Sequence, residues 1–284
     1  MSSAFRINTN IQSQEALLNL QNTNEELATR QERLTTGLRI NSAEDDAAGF
    51  EIANQLEAKT GAQQQAARNI GDAKSMLSTA EGALDSQLDI LQTMKEKATQ
   101  AANDSLGKSE RQAIQSELDS LTAEIKDIAN NTSFNGKNLI DNSNELEFQT
   151  GTGKNDTFKL SNGIAKAQTD NLGIAKGTKK GSFKKDLTKD AGRKNAIKVI
   201  DDAIGTLTGE LSDLGATQNR LSFKKENLET ATKNLSAAQS RIEDADFARE
   251  QTQVAKLQVQ QQSGTAQLAQ ANASGQSVLS LLGG

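Results

Sequence analysis

Apolar residues recur along this chain at alternating steps of three and four, the spacing that lays a continuous seam on one side of an α-helix. An N-terminal run reads Leu17, Leu20, Asn24, Leu27, Gln31, Leu34, Leu38. A second reads Ile70, Ala73, Leu77, Ala80, Leu84, Gln87, Leu91, Met94, Ala98, Ala101, and a third Ile114, Leu118, Leu121, Ile125, Ile128. The longest starts Ile197, Ile200, Ile204, Leu207, Leu211, Leu214, Gln218, Leu221 and continues through Lys225, Leu228, Thr232, Leu235, Gln239 and Ile242. The last is Val254, Leu257, Gln261, Gly264, Leu268, Ala271, Gly275, Val278, Leu282. Each run predicts a helix. The polar members suit register control or partial exposure better than maximal stability.

A helix over about residues 196–244 would reach roughly 70 Å at 1.5 Å per residue. Only other helices of the same chain can cover such a rod. The second and third runs are its natural antiparallel partners, joined by the breaker Asn103-Asp104-Ser105-Leu106-Gly107. Each buried Leu or Ile contributes roughly 1.5–3 kcal/mol, enough to hold a three- or four-helix bundle. Its expected packing positions are Leu77, Leu84, Leu91, Leu118, Leu121, Ile125, Leu207, Leu214, Leu221 and Leu228.

Residues 141–195 lose this period. Leu146 and Phe148, then Phe158 and Leu160, alternate with polar residues around Gly151 and Gly153, which predicts a β-hairpin with a glycine-rich turn. Residues 176–198 hold nine Lys or Arg against two Asp and read as a solvated insert rather than an anion-binding patch. The expected fold class is mainly α: an elongated antiparallel helical bundle or coiled coil with paired terminal helices and a small β-hairpin region.

Composition narrows the chemistry. The 284 residues include no Pro, Cys, His, Trp or Tyr. Absence of proline suits uninterrupted helices. Without His or Cys there is no zinc site of the usual kind, no thiol nucleophile, no Ser-His-Asp triad and no disulfide. No cofactor, metal or catalytic constellation is expected. Aromatics at 3% give no stacking platform for bases, and the net charge of −5 disfavours a nucleic-acid binder. No apolar run approaches the ~20 residues that span a bilayer, so membrane insertion is not expected. The first residues, MSSAFRINTNIQSQ, lack the apolar core of a Sec signal peptide.

The two ends differ from the middle. Residues 251–284 carry one charge, Lys256, and nine glutamines. Charged side chains are costly to bury, whereas glutamine tolerates burial when hydrogen-bonded. A helix with almost no charge on any face can sit inside a multi-chain assembly, so the ends are expected to pair with each other and with copies from neighbouring chains. Ser42 is the expected N-cap of a helix beginning after Asn41, with acids in its first turn. Asp45, Asp46, Asp244 and Asp246 resemble metal ligands or paired carboxylates, but capping and salt bridges to Arg39 and Arg241 are the expected roles.

Leu34-Thr35-Thr36-Gly37-Leu38-Arg39-Ile40-Asn41-Ser42-Ala43-Glu44-Asp45-Asp46-Ala47-Ala48-Gly49 closely resembles the N-terminal signature of bacterial flagellins. Phe134-Asn135-Gly136-Lys137-Asn138-Leu139 is similar to the family's turn after the second core helix. Leu214 through Leu221, Ser240 through Phe247 and the final Ser277-Val278-Leu279-Ser280-Leu281-Leu282 resemble the C-terminal signatures. The likeness spans about residues 1–145 and 197–284.

The resemblance implies a structural subunit of the flagellar filament that self-polymerises into a helical homopolymer. It implies that residues 1–41 and 251–284 form the two halves of an inner-tube domain, with Leu17, Leu20, Leu27, Leu34, Val254, Leu257, Leu268, Val278 and Leu282 as assembly positions. It implies an outer-tube domain over 42–250, packed by the ten bundle positions named above, with a short variable insert at about 141–196. Further implied are secretion through the flagellar export apparatus, a chaperone on the C-terminal helix, and cap and hook-associated proteins as partners. Flagellins that Toll-like receptors detect carry an arginine and a leucine where this chain has Thr93 and Lys97, while a third contact is retained as Glu124. The loss of a charge-assisted donor and an apolar anchor implies weak receptor activation. The other readings are a hook–filament junction protein and, in a different class, a helical-bundle receptor or toxin.

Overall fold

The structure, a computed structural model, describes residues 10–140, 146–160, 169, 171–174 and 187–282, without the side chains of Leu160 and 274–282. Val278 and Leu282 therefore lie outside the described side chains, as residues 175–186 of the basic stretch lie outside the described backbone. The described elements are α1 (Ile11–Thr36), α2 (Ala47–Ala101), α3 (Lys108–Asn131), β1 (Ser133–Phe134), β2 (Lys137–Asn138), β3 (Leu146–Gln149), β4 (Thr157–Leu160), α4 (Asp190–Glu243) and α5 (Phe247–Leu282). The chain is mainly α, with paired terminal helices and two small antiparallel strand pairs.

Local chemistry sets the ends of the helices. The Asn10 side chain accepts from the Ser13 N–H at 3.0 Å and caps α1. Gly37 closes α1 at φ 75°, a left-handed position that favours glycine, and its N–H reaches the Arg33 carbonyl. The cap of α2 is Asp46, which accepts from the Gly49 N–H at 3.0 Å. This corrects the expectation for Ser42: that residue sits in a turn before the helix, its N–H donating to Asp45. Asp246 caps α5 in the same way, through the Arg249 N–H.

α2 begins well before its heptads. Its first part buries small residues, Ala53 and Ala66, which a search for large apolar side chains passes over. The breaker at 103–107 separates α2 from α3, as its composition requires. Asn135 and Gly136, both at positive φ, turn β1 into β2, the Asn-Gly signature of a two-residue hairpin. β3 pairs with β4 in the expected hairpin, with Phe148 opposite Phe158 and Glu147 opposite Lys159.

The chain divides into two compact units, residues 1–60 with 233–284, and residues 61–232. The second holds the main core. α2 runs antiparallel to α4, with Lys74 donating to Ser222, Gln218 to Glu81, and Lys95 paired with Asp201. It also runs antiparallel to α3, through Lys97–Glu117 and Gln87–Ile125. Leu77, Leu84, Leu91, Leu118, Ile125, Leu207, Leu214 and Leu221 are buried between these helices, while Leu121 and Leu228 pack half-buried at the edge. Phe158 joins the core from the hairpin, with the Arg220 guanidinium over its ring at 5.0 Å.

Gln87 is the polar exception in this seam. It is fully buried; its Nε2 donates to the Ile125 carbonyl at 3.1 Å while its Oε1 has no partner. Leaving a buried acceptor unpaired costs free energy, and one shared hydrogen bond offsets only part of that. Leu118→Ala, which empties a filled site, is expected to lower unfolding free energy by about 2–5 kcal/mol. Gln87→Leu is expected to be neutral or stabilising; urea unfolding followed by circular dichroism of both variants measures the contrast.

Candidate assembly site

The unit built from both chain ends is assembled by antiparallel pairing of α1 with α5. Leu27, Val254 and Leu257 are buried between them, and Leu34 packs against that cluster. Further along, Leu20 lies close to Gly264, where an added Cβ would come within 3.3 Å of its Cδ1. Polar pairs continue the seam: Gln261 Nε2 donates to Asn24 Oδ1 at 2.7 Å, Ser13 Oγ to Asn272 Oδ1 at 2.7 Å, and Asn10 Nδ2 to the Ala271 carbonyl at 2.9 Å. The amide-bearing residues that stand where leucines would otherwise sit therefore hydrogen-bond across the pair.

One buried charge fixes the register. Glu250 is buried, and Arg30 donates to both of its oxygens at 2.9 and 3.0 Å. Both contacts come from one nitrogen, Nη1, and a buried carboxylate is tolerated when a guanidinium pairs with it in this way. No local sequence signal couples two residues 220 positions apart, so the periodicity could not reveal this pair.

The pair covers only part of its apolar surface. Leu17 is 45% exposed, Leu18 60% and Val259 66%. Leu20 and Leu268 are half-buried. Phe247, at the start of α5, is 67% exposed. Of the residues expected at the assembly seam, Leu27, Val254 and Leu257 are satisfied within one chain, and Leu17 is not. Leu18 and Val259, absent from the seam read in the sequence, extend the open apolar surface.

Beyond the helical pair, chain segments 37–39 and 243–245 lie antiparallel. Leu38 bridges Asp244, the Ala245 N–H donates to the Gly37 carbonyl, and the Arg39 guanidinium donates to the Ile242 carbonyl at 2.8 Å. The acidic clusters supply the expected helix caps but not the expected ion pairs with Arg39 and Arg241. Asp45 pairs with Arg33 at 3.2 Å rather than with Arg39, Asp46 and Asp246 cap helices, and Asp244 accepts from Ser240. The physical reason is reach: Arg39 is spent on a backbone carbonyl, while α1 presents Arg33 to the turn. The Asp45 carboxyl is held below the usual carboxylate range, chiefly by the Asn41 N–H, with Arg33 and the Ser42 N–H adding to the effect against partial desolvation. Around these segments lies a cleft of about 370 Å³ lined by five arginines and three carboxylates.

The three positions expected to bear on receptors are on α2 and α3. Thr93 is exposed and donates to its own helix at Asp89, Lys97 is paired with Glu117 at 2.7 Å, and Glu124 is exposed. Among the described residues no cluster of three metal-ligating side chains occurs, and no helix is long and apolar enough to cross a membrane.

A chain whose middle closes its own core, while its two ends pair and leave apolar surface open, defines a helical subunit of a larger assembly. Residues 7–145 match the family description "Bacterial flagellin N-terminal helical region", and residues 197–282 match "Bacterial flagellin C-terminal helical region". The chain is 37% identical to the flagellin of Bacillus subtilis, covering 98% of this chain and all of that one. It is 34% identical to flagellin FlaB1 of Treponema pallidum, covering 97% and 99%, and 32% identical to flagellin A of Vibrio cholerae, covering 98% and 99%. A solved putative flagellar hook-associated protein from Vibrio parahaemolyticus superposes with a TM-score of 0.58 at 20% identity over 70% of this chain and all of that one, a likeness of fold. The chain belongs to the bacterial flagellin family and is a structural subunit of the flagellar filament.

Because the folded Asp45 carboxyl is more acidic than an unfolded one, its contribution to stability is complete above the unfolded value near pH 4. It is lost as pH falls through the folded value. Asp45→Asn is therefore expected to reduce thermal stability at neutral pH and to weaken the acid dependence. Melting curves of both proteins between neutral and strongly acidic pH check the sign.

Proposed function

We propose that the chain enters the filament by coupled folding and assembly. The terminal segments 1–41 and 251–284 form the inner tube, and 42–250 the surrounding outer tube. The free pair of α1 and α5 is held by a short buried cluster and a few polar bridges. Docking against other copies covers its remaining apolar surface and offsets the ordering entropy of both ends. Leu17, Leu20, Leu268, Val278 and Leu282 make the contacts between copies, while Leu27, Leu34, Val254 and Leu257 keep the pair in register.

The observation that carries this reading is the exposure of Leu17, Leu18 and Val259 on a pair whose second helix has one charge beyond residue 250. Exposed large apolar side chains on a helix pair whose α5 is nearly uncharged suit contact with further copies. Subunits of this kind reach the growing tip through the flagellar export apparatus, escorted by a chaperone on the C-terminal helix, and are inserted with the help of the cap. Hook-associated proteins continue the same packing at the filament base. Thr93 and the ion-paired Lys97 leave the outer surface without the arginine and leucine that innate receptors grip, so activation of such receptors is weak.

Removing residues 251–284 is expected to leave a helical, soluble monomer unable to elongate filament seeds. Sedimentation and negative-stain microscopy decide this; filaments of normal length from the truncated chain would overturn the proposal.

A further inference from the structure

The arginine-lined cleft of the terminal unit holds more cationic than anionic capacity. Arg30 is committed to Glu250, Arg33 to Asp45, and Arg39 to the Ile242 carbonyl. Arg241 and Arg249 line the same cleft, and among the described residues no ion pair or side-chain hydrogen bond engages either guanidinium. Of the carboxylates beside them, Glu250 is ion-paired with Arg30, while Asp244 accepts from Ser240 and Asp246 from the Arg249 N–H, so five guanidiniums face three carboxylates in the cleft. Two guanidiniums with unfilled donor forks in one concave site form a receptor for carboxylates.

The complementary charge lies elsewhere on the same unit. Glu25 and Glu26 are exposed on α1, lining a second open cleft of about 430 Å³ with Arg30 and Arg33. Glu26 and Arg30 have the spacing of a helical ion pair, yet Arg30 reaches across to Glu250 instead. Among the described residues neither glutamate is in an ion pair. Helical geometry places both outside the α1 stripe that carries Leu20, Leu27 and Leu34 toward α5.

We propose that Arg241 and Arg249 of one subunit receive Glu25 and Glu26 of a neighbouring subunit, an electrostatic clamp between terminal units. This rests on the filament reading and specifies one contact within it. The two patches adjoin, sharing Arg30 and Arg33 along α1, and the clamp pairs the arginines of one copy with the glutamates of the next. Placed at the rim of an otherwise apolar and amide-rich interface, these charges act on encounter and register more than on bulk burial.

The test is a charge exchange in seeded elongation. Arg241→Glu with Arg249→Glu, and separately Glu25→Lys with Glu26→Lys, are each expected to slow elongation by about tenfold or more when used alone. An equimolar mixture of the two, or one chain carrying all four substitutions, is expected to recover most of the rate. Circular dichroism of each monomer checks that the helices persist, and Arg241→Gln with Arg249→Gln gives a milder variant should charge reversal disturb the end of α4. Elongation of either reversed chain at the wild-type rate would overturn the clamp, as would failure of both the mixture and the four-substitution chain to recover while helicity is intact. Failure of the wild-type chain itself to elongate would instead sink the filament reading on which the clamp rests.

Discussion

The terminal helices cannot bury their own apolar surface, and the organisation of the molecule follows from that shortfall. α1 and α5 meet along a seam whose buried apolar centre is Leu27, Val254 and Leu257. At 1.5–3 kcal/mol for each buried aliphatic side chain, that centre supplies only several kcal/mol, against the ordering of two helices of 26 and 36 residues. In the proposed assembly, neighbouring copies add to this centre and to the polar bridges within the pair. Low charge on α5 makes this possible, since glutamine, alanine and serine can enter an interface where a lysine or glutamate would resist desolvation. In the proposed assembly, the open surface that is a liability for one molecule becomes the means of polymerisation for many.

The middle of the chain solves the opposite problem. α2, α3 and α4 bury leucine and isoleucine against one another until Leu77, Leu84, Leu91, Leu118 and Ile125 lose all contact with water. This part does not need neighbours to be folded. A subunit with one self-sufficient unit and one incomplete unit can remain a discrete, soluble particle and still gain stability on joining a lattice. Arg30 and Glu250 illustrate how the incomplete unit avoids aggregating in the wrong register: a buried charge pair accepts only one alignment of the two helices.

The helical part of the fold was legible because heptad spacing is a direct imprint of helix-on-helix packing. The hairpin was legible because Phe148 and Phe158 alternate with polar residues around a glycine-rich turn. What escaped had physical causes. The heptad run of α2 was read only from Ile70, because its earlier part buries Ala53 and Ala66 while Ile52 is exposed and Phe50 and Leu56 are only half-buried. Leu17 fits the three-and-four spacing yet is exposed, because spacing marks a face of a helix without saying whether the same chain covers it. The cap of α2 moved from Ser42 to Asp46 because the acid reaches the N–H three residues on, while Asp45 holds Ser42 in the preceding turn. The arginine cleft was invisible because it gathers residues from three helices and two turns, and only tertiary structure brings them together.

Amide hydrogen exchange on free subunits and on intact filaments, resolved by peptide, tests the central claim most directly. Free subunits should exchange quickly through α1 and α5 and slowly through the centres of α2, α3 and α4, and polymerisation should confer strong protection on the terminal pair alone. Equal, slow exchange of α1 and α5 in both states would mean that the ends are complete in a single chain, and would contradict the account.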